Sequence, residues 1–138
     1  SRQAAYDGAM AKLALVHMDD QAERFPADIG DGLRKRVAIA RALTMKPRYV
    51  IFDEPTTGLD PLAASRVDDL IRSLRTEAGV TAIVVSHDLR SIFSVADRIA
   101  MIYQGQILLD GTPEDFRASD DPVVHQYVNG LPDGPMIV

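Results

Sequence analysis

Apolar residues along this chain recur in two patterns, a three-to-four-residue spacing and short unbroken runs, and the two alternate. From Ser1 to Met18, Ala5, Ala9, Leu13 and Val16 fall at helical spacing with no Gly or Pro after Gly8, which predicts a helix. Pro26, Gly30 and Gly32 mark a loop, and Leu33 to Met45 places Val37, Ile39, Ala40 and Leu43 on one helical stripe before Pro47 prevents continuation. Tyr49 to Phe52 is a continuous apolar run, the pattern of a strand buried on both faces, and it stops at Asp53-Glu54-Pro55. A helical pattern through Val67, Leu70, Ile71 and Leu74 leads to Gly79 and then to a second apolar run, Thr81 to Val85. Strand, helix and strand of these lengths predict a parallel βαβ unit, whose ligands bind beyond the carboxyl ends of the strands. Ser86-His87-Asp88 lies at such an end, ahead of a helical pattern from Leu89 to Val95.

Further on, Arg98 to Tyr103 and Gln106 to Asp110 flank Gln104-Gly105 as a hairpin would. Thr112-Pro113-Glu114 offers a helix N-cap, a first-turn proline and an early acid. The tail from Asp121 to Val138, with Pro122, Pro132 and Pro135, is expected to end irregularly. The 138 residues suit one compact unit, and 46% hydrophobic with 25% charged residues is an ordinary globular balance. The chain has no cysteine, which excludes disulfides and thiolate metal sites. It has no apolar run near the roughly 18 to 20 residues a bilayer span needs. A net charge of -5 disfavours sequence-independent nucleic-acid binding. The basic cluster Arg34-Lys35-Arg36 with Arg41 reads as a solvated helix face.

An apolar strand that delivers Asp and then Glu suits metal-assisted nucleotide hydrolysis, with Asp53 holding Mg²⁺ and Glu54 positioning the attacking water. Two solvated turn acids would look the same, and the dipeptide alone leaves both readings open. The longer run Tyr49-Val50-Ile51-Phe52-Asp53-Glu54-Pro55-Thr56-Thr57-Gly58-Leu59-Asp60 resembles the Walker B and D-loop of ABC ATPases almost letter for letter. Val85-Ser86-His87-Asp88 is similar to the family's switch strand and histidine. Asp97-Arg98-Ile99 and Gln104 to Pro113 resemble its closing hairpin and the helix after it, so the resemblance covers most of the chain.

The resemblance implies an α/β chain with a partial P-loop NTPase (ABC ATPase) fold: parallel strands, flanking helices and a C-terminal β-hairpin. It places residues 1–138 as the C-terminal part of one ABC ATPase domain. Glu54 and His87 would be catalytic, with His87 contacting the γ-phosphate of ATP. Asp53 would hold Mg²⁺, and Gly30, Gly32 and Asp60 would bind nucleotide. His17 and His125 have no motif around them and receive no role. Where the family carries Leu-Ser-Gly-Gly, this chain reads Ile29-Gly30-Asp31-Gly32. Either Asp31 turns away and leaves the amides of Gly30 and Gly32 to an anion, or the site is weakened. No Gly-x-x-x-x-Gly-Lys-Ser/Thr loop occurs, so tight ATP binding by these residues alone is not expected. The expected protein is a truncated ATPase subunit, inactive as a fragment.

The resemblance further implies a second ATPase subunit and transmembrane permease subunits as partners, with a peripheral position on the cytoplasmic face of the inner membrane and no nucleic-acid partner. The stretch from Asp120-Asp121-Pro122 to Gly130, with Asp133-Gly134-Pro135, resembles the subgroup serving Mla-type phospholipid transport. A non-catalytic module of the same fold and a soluble ABC ATPase acting on ribosomes or DNA are the alternatives.

Overall fold

A computed structural model of the chain describes residues 1–136. Where length alone suggests one compact unit, backbone contacts group the chain into two, Ser1–Ser91 and Ile92–Val138.

The first unit opens with α1 (Arg2–Leu15), whose N-cap Ser1 accepts a hydrogen bond from the Ala4 amide at 3.2 Å. The predicted stripe on α1 holds only in part, because Ala5 and Ala9 are exposed and burial begins at Leu13 and becomes complete at Val16 and Met18. Two short 3₁₀ turns, Asp19–Gln21 and Pro26–Asp28, lead to α2 (Asp31–Leu43). The first strand, β1 (Tyr49–Asp53), is followed by α3 (Pro61–Glu77) and β2 (Thr81–Val85). β1 and β2 pair in parallel, from Tyr49 opposite Thr81 to Asp53 opposite Val85. α3 is bounded by signals visible in its sequence. Asp60 caps it, Pro61 occupies the first turn where a missing N–H costs nothing, and Gly79 ends it at φ +62°.

The core of this unit lies between the sheet and its helices. Val50 and Phe52 point inward from β1 against Ile39 and Leu43 of α2 and the α3 stripe Val67, Leu70, Ile71 and Leu74. The expectation that β1 is buried on both faces is corrected here. Tyr49 is 63% and Ile51 68% exposed, and Ile83 and Val85 on β2 are half exposed. The continuous apolar run suggested cover on both sides, but among the described residues the helices cover one face only.

The helix α4 (Leu89–Val95) begins in the first unit and ends in the second. The second unit continues with β3 (Ile99–Tyr103) and β4 (Gln106–Gly111), an antiparallel hairpin. Its turn residues Gln104 and Gly105 both have positive φ, 49° and 77°, as a two-residue type I′ turn requires. α5 (Pro113–Arg117) opens with a capping box between Thr112 and Asp115. The tail is more regular than its prolines suggest. Pro122 serves as the first-turn residue of α6 (Pro122–Val128), capped by Asp121, and irregular backbone follows only from Asn129. Ile137 and Val138, the end of that predicted tail, lie outside the described residues.

Candidate functional site

Because β1 and β2 are parallel and in register, their carboxyl ends deliver Asp53-Glu54 and Ser86-His87 to one place. The Glu54 amide donates to the Val85 carbonyl at 2.8 Å, extending the ladder one step past the strand. At that step the backbone bends, with Glu54 at φ +48°, a left-handed conformation uncommon for a residue with a side chain. The bend turns the carboxylate onto three partners. Glu54 Oε1 lies 2.9 Å from His87 Nδ1, and Oε2 accepts from Thr57 Oγ1 at 2.8 Å and Ser86 Oγ at 3.4 Å.

These contacts set the protonation of the pair. The hydrogen bond from His87, then that from Thr57, holds the Glu54 carboxyl below its ordinary value. The same hydrogen bond and the charge of Glu54 raise His87. His87 is 72% exposed and Glu54 35%, so the histidine is open to an incoming anion while the carboxylate sits partly beneath it. A recess of ≈ 480 Å³ opens beside His87, bordered by Thr56, Thr57, Asp88 and Arg90.

Asp53 occupies the last position of β1 and is exposed. No group of three or more His, Asp or Glu side chains that could hold a metal occurs among the described residues. The single exposed carboxylate of Asp53 is a hard oxygen donor of the kind that suits a cation which keeps most of its waters and takes substrate phosphates, as Mg²⁺ does.

The structure gathers Gly30, Gly32 and Asp60 around a second recess of ≈ 400 Å³, together with Arg36 and Arg66. Asp60 accepts from the Leu62 and Ala63 amides, both at 3.0 Å, so its carboxylate caps α3. Asp31 is the first residue of α2, and its carboxylate turns along the helix to pair with Arg34, which also donates to the Ile29 carbonyl at 3.0 Å. A Cβ added at Gly30 would meet nothing within 4 Å, so space does not dictate glycine where the resembling pattern has serine.

One reading of the basic cluster is overturned. Lys35 is half buried, and its ammonium donates to the Thr57 carbonyl at 2.7 Å and the Glu54 carbonyl at 3.2 Å. Its signal was present in the sequence, since Lys35 lies four residues from Ile39 and eight from Leu43, on the buried stripe of α2.

The ABC transporter family profile matches residues 1–57. The ribonucleotide transport ATP-binding protein mkl of Mycobacterium tuberculosis, so named as probable, is 35% identical over 130 residues, 94% of this chain and 36% of that one. The intermembrane phospholipid transport system ATP-binding protein MlaF of Escherichia coli is 35% identical over 127 residues, 92% of this chain and 47% of that one. The structure of cbiO1 from Clostridium perfringens, part of the ABC transporter complex cbiONQ, superposes with a TM-score of 0.81 at 28% identity, covering 96% of this chain and 52% of that one. The chain belongs to the ABC transporter ATP-binding family. It spans between about a third and about half of the length of these relatives.

The ABC ATPase fold expected from the motifs is the fold observed, a parallel strand pair with flanking helices and an antiparallel hairpin. Within it, Glu54 and His87, the two residues expected to be catalytic, come together, whereas the three residues expected to bind nucleotide border a different recess. No helix among the described residues is long and apolar enough to cross a membrane.

Proposed function

We propose that the protein carrying this chain hydrolyses ATP to drive a membrane transporter. The observation that carries this reading is the Glu54–His87 contact of 2.9 Å at the ends of two in-register parallel strands, with Asp53 alongside. In the reaction a water attacks the γ-phosphorus, the bond to the bridging oxygen breaks, and ADP and phosphate leave. A carboxylate held below its ordinary pKa is a poor proton sink but a constant hydrogen-bond acceptor at neutral pH. Glu54 therefore serves best by orienting the water, which suffices where the transition state is loose and the nucleophile needs little deprotonation. His87, raised by Glu54 and open to solvent, offers positive charge and a donor to the γ-phosphate. When bound, Mg²⁺ would neutralise phosphate charge, with Asp53 as its anchor on this chain.

The finer reading is transport of phospholipid, from the peripheral position on the cytoplasmic face of the inner membrane and with a second ATPase subunit and permease partners. Its support is the Mla-like tail together with the similarity to MlaF. Overall identity does not favour lipid over other cargo, since a probable amino-acid ABC transporter ATP-binding protein of Sinorhizobium fredii is 36% identical over 135 residues. One observation favours a non-catalytic module instead, a carboxylate, that of Asp31, at the first position of α2.

The deciding experiment is steady-state ATP turnover of the full-length protein beside Glu54→Gln. Turnover is expected to fall by about 10³-fold with nucleotide binding retained, the range seen for loss of a group acting on the transition state. Equal turnover in both would leave the non-catalytic module.

A further inference from the structure

Three buried polar side chains, one of them in the turn that follows Glu54, have no part in the chemistry described. Ser91 is 1% exposed, and Thr56 and Asp68 are each 5% exposed. Ser91 Oγ lies 2.8 Å from Asp68 Oδ2 and 3.3 Å from Thr56 Oγ1. A serine hydroxyl has a single proton, and the shorter contact, to a carboxyl oxygen, takes it. The Thr56 hydroxyl then donates to Ser91.

We propose that Ser91, anchored by Asp68, is a positioning residue that ties the turn after Glu54 to the helix after His87 and thereby sets the geometry of the pair. The proposal rests on the ATP-hydrolysis reading above. Thr56 stands two residues beyond Glu54 and directly before Thr57, whose hydroxyl holds Glu54 Oε2. Ser91 stands four residues beyond His87, in a first turn already fixed by Asp88, whose Oδ1 accepts from the Arg90 and Ser91 amides at 3.0 and 3.3 Å. One hydroxyl thus joins the two segments that bear the reacting groups, and Asp68 on α3 supplies the fixed point.

The surroundings of Asp68 argue against a purely packing role. Its Oδ1 is buried with no hydrogen-bond partner, a costly arrangement that an apolar residue in the same place would avoid. Burial raises its pKa, the Ser91 hydrogen bond opposes this, Asp88 adds to the rise, and Arg72 and Arg90 oppose it. The polar group is retained at a cost to stability, and the bond to Ser91 is its specific contact within the cluster.

The test uses the full-length protein that carries this chain. In Ser91→Ala, kcat for Mg²⁺-ATP is expected to fall about tenfold with half-saturating ATP changed by less than about twofold, the signature of lost alignment and not of lost binding. Ser91→Thr keeps the hydroxyl and should recover most of kcat. Ser91→Cys keeps the volume with a weaker donor and should fall between. Amide hydrogen exchange across residues 54–57 should speed up in Ser91→Ala. In a Glu54→Gln background Ser91→Ala should add no further loss. A wild-type kcat in Ser91→Ala, or in Ser91→Cys if the alanine variant does not fold, overturns the proposal even where the melting temperature drops. Wild-type turnover in Glu54→Gln alone would instead overturn the hydrolysis reading on which the proposal stands.

Discussion

The two ends of α2's neighbourhood are built on opposite principles. Around Glu54 four side chains converge on one turn: His87, Thr57 and Ser86 on the carboxylate, and Lys35 on the carbonyls. At the start of α2, by contrast, the helix has a glycine N-cap with no side-chain hydrogen bond, and its first carboxylate pairs with Arg34 of the same helix. The first region holds its reactive group in place before any ligand arrives. The second leaves its backbone amides bare and sets a negative charge beside them, which opposes a phosphate through the charge and attracts it through the helix dipole. Matching a family motif and departing from one thus have structural counterparts within a few residues of each other, with Lys35 on the departing helix supporting the matching turn.

Four experiments break or sharpen this contrast, in order of expected size. His87→Ala removes the ring that pairs with Glu54, and turnover of the full-length protein should drop about 100-fold; a loss under about threefold would mean that the pair is not a working unit. Lys35→Met keeps most of the stem but leaves the Glu54 and Thr57 carbonyls without their charged donor. Urea unfolding should show about 1.5 kcal/mol lost, and a neutral result would return Lys35 to the solvated face first expected of it. Asp31→Gly should tighten phosphate-dependent association at the α2 end by about fivefold, as expected for removing a like charge at a screened, exposed site. Unchanged association would show that the Arg34 pair already cancels that charge, and weaker association would show that Asp31 supports binding there.

The smallest effect is in titration. His87 is raised by Glu54, so the stabilisation from their contact is complete below the ordinary imidazole value and is lost as pH rises through the raised one. Glu54 is lowered, so its share is present above the ordinary carboxylate value and is lost as pH falls through the lowered one. In Glu54→Gln the His87 midpoint followed by NMR should drop toward the ordinary imidazole value. An unmoved midpoint would mean that the contact does not persist in solution.

The sequence made the strand ends legible because apolar runs stopping at Asp53 and at Val85 carry their own punctuation. The caps at Asp60 and Thr112 and the Gln104-Gly105 turn were readable for the same reason, each being local chemistry. Lys35 was misread because charge was weighed ahead of its place on the stripe with Ile39 and Leu43. The open face of β1 was misread because an apolar run reports the preference of its side chains and not what covers them. The Thr56–Ser91–Asp68 cluster joins residues 23 and 35 positions apart, and no periodicity connects them.

The left-handed backbone at Glu54 sets backbone ease against chemistry. A glycine there would adopt that conformation without the steric cost of a side chain, roughly 1 kcal/mol, but would give up the contacts to His87, Thr57 and Ser86 together with the carboxylate. The strain and the reactive group are carried by one residue, and the glycine that relieves the first removes the second.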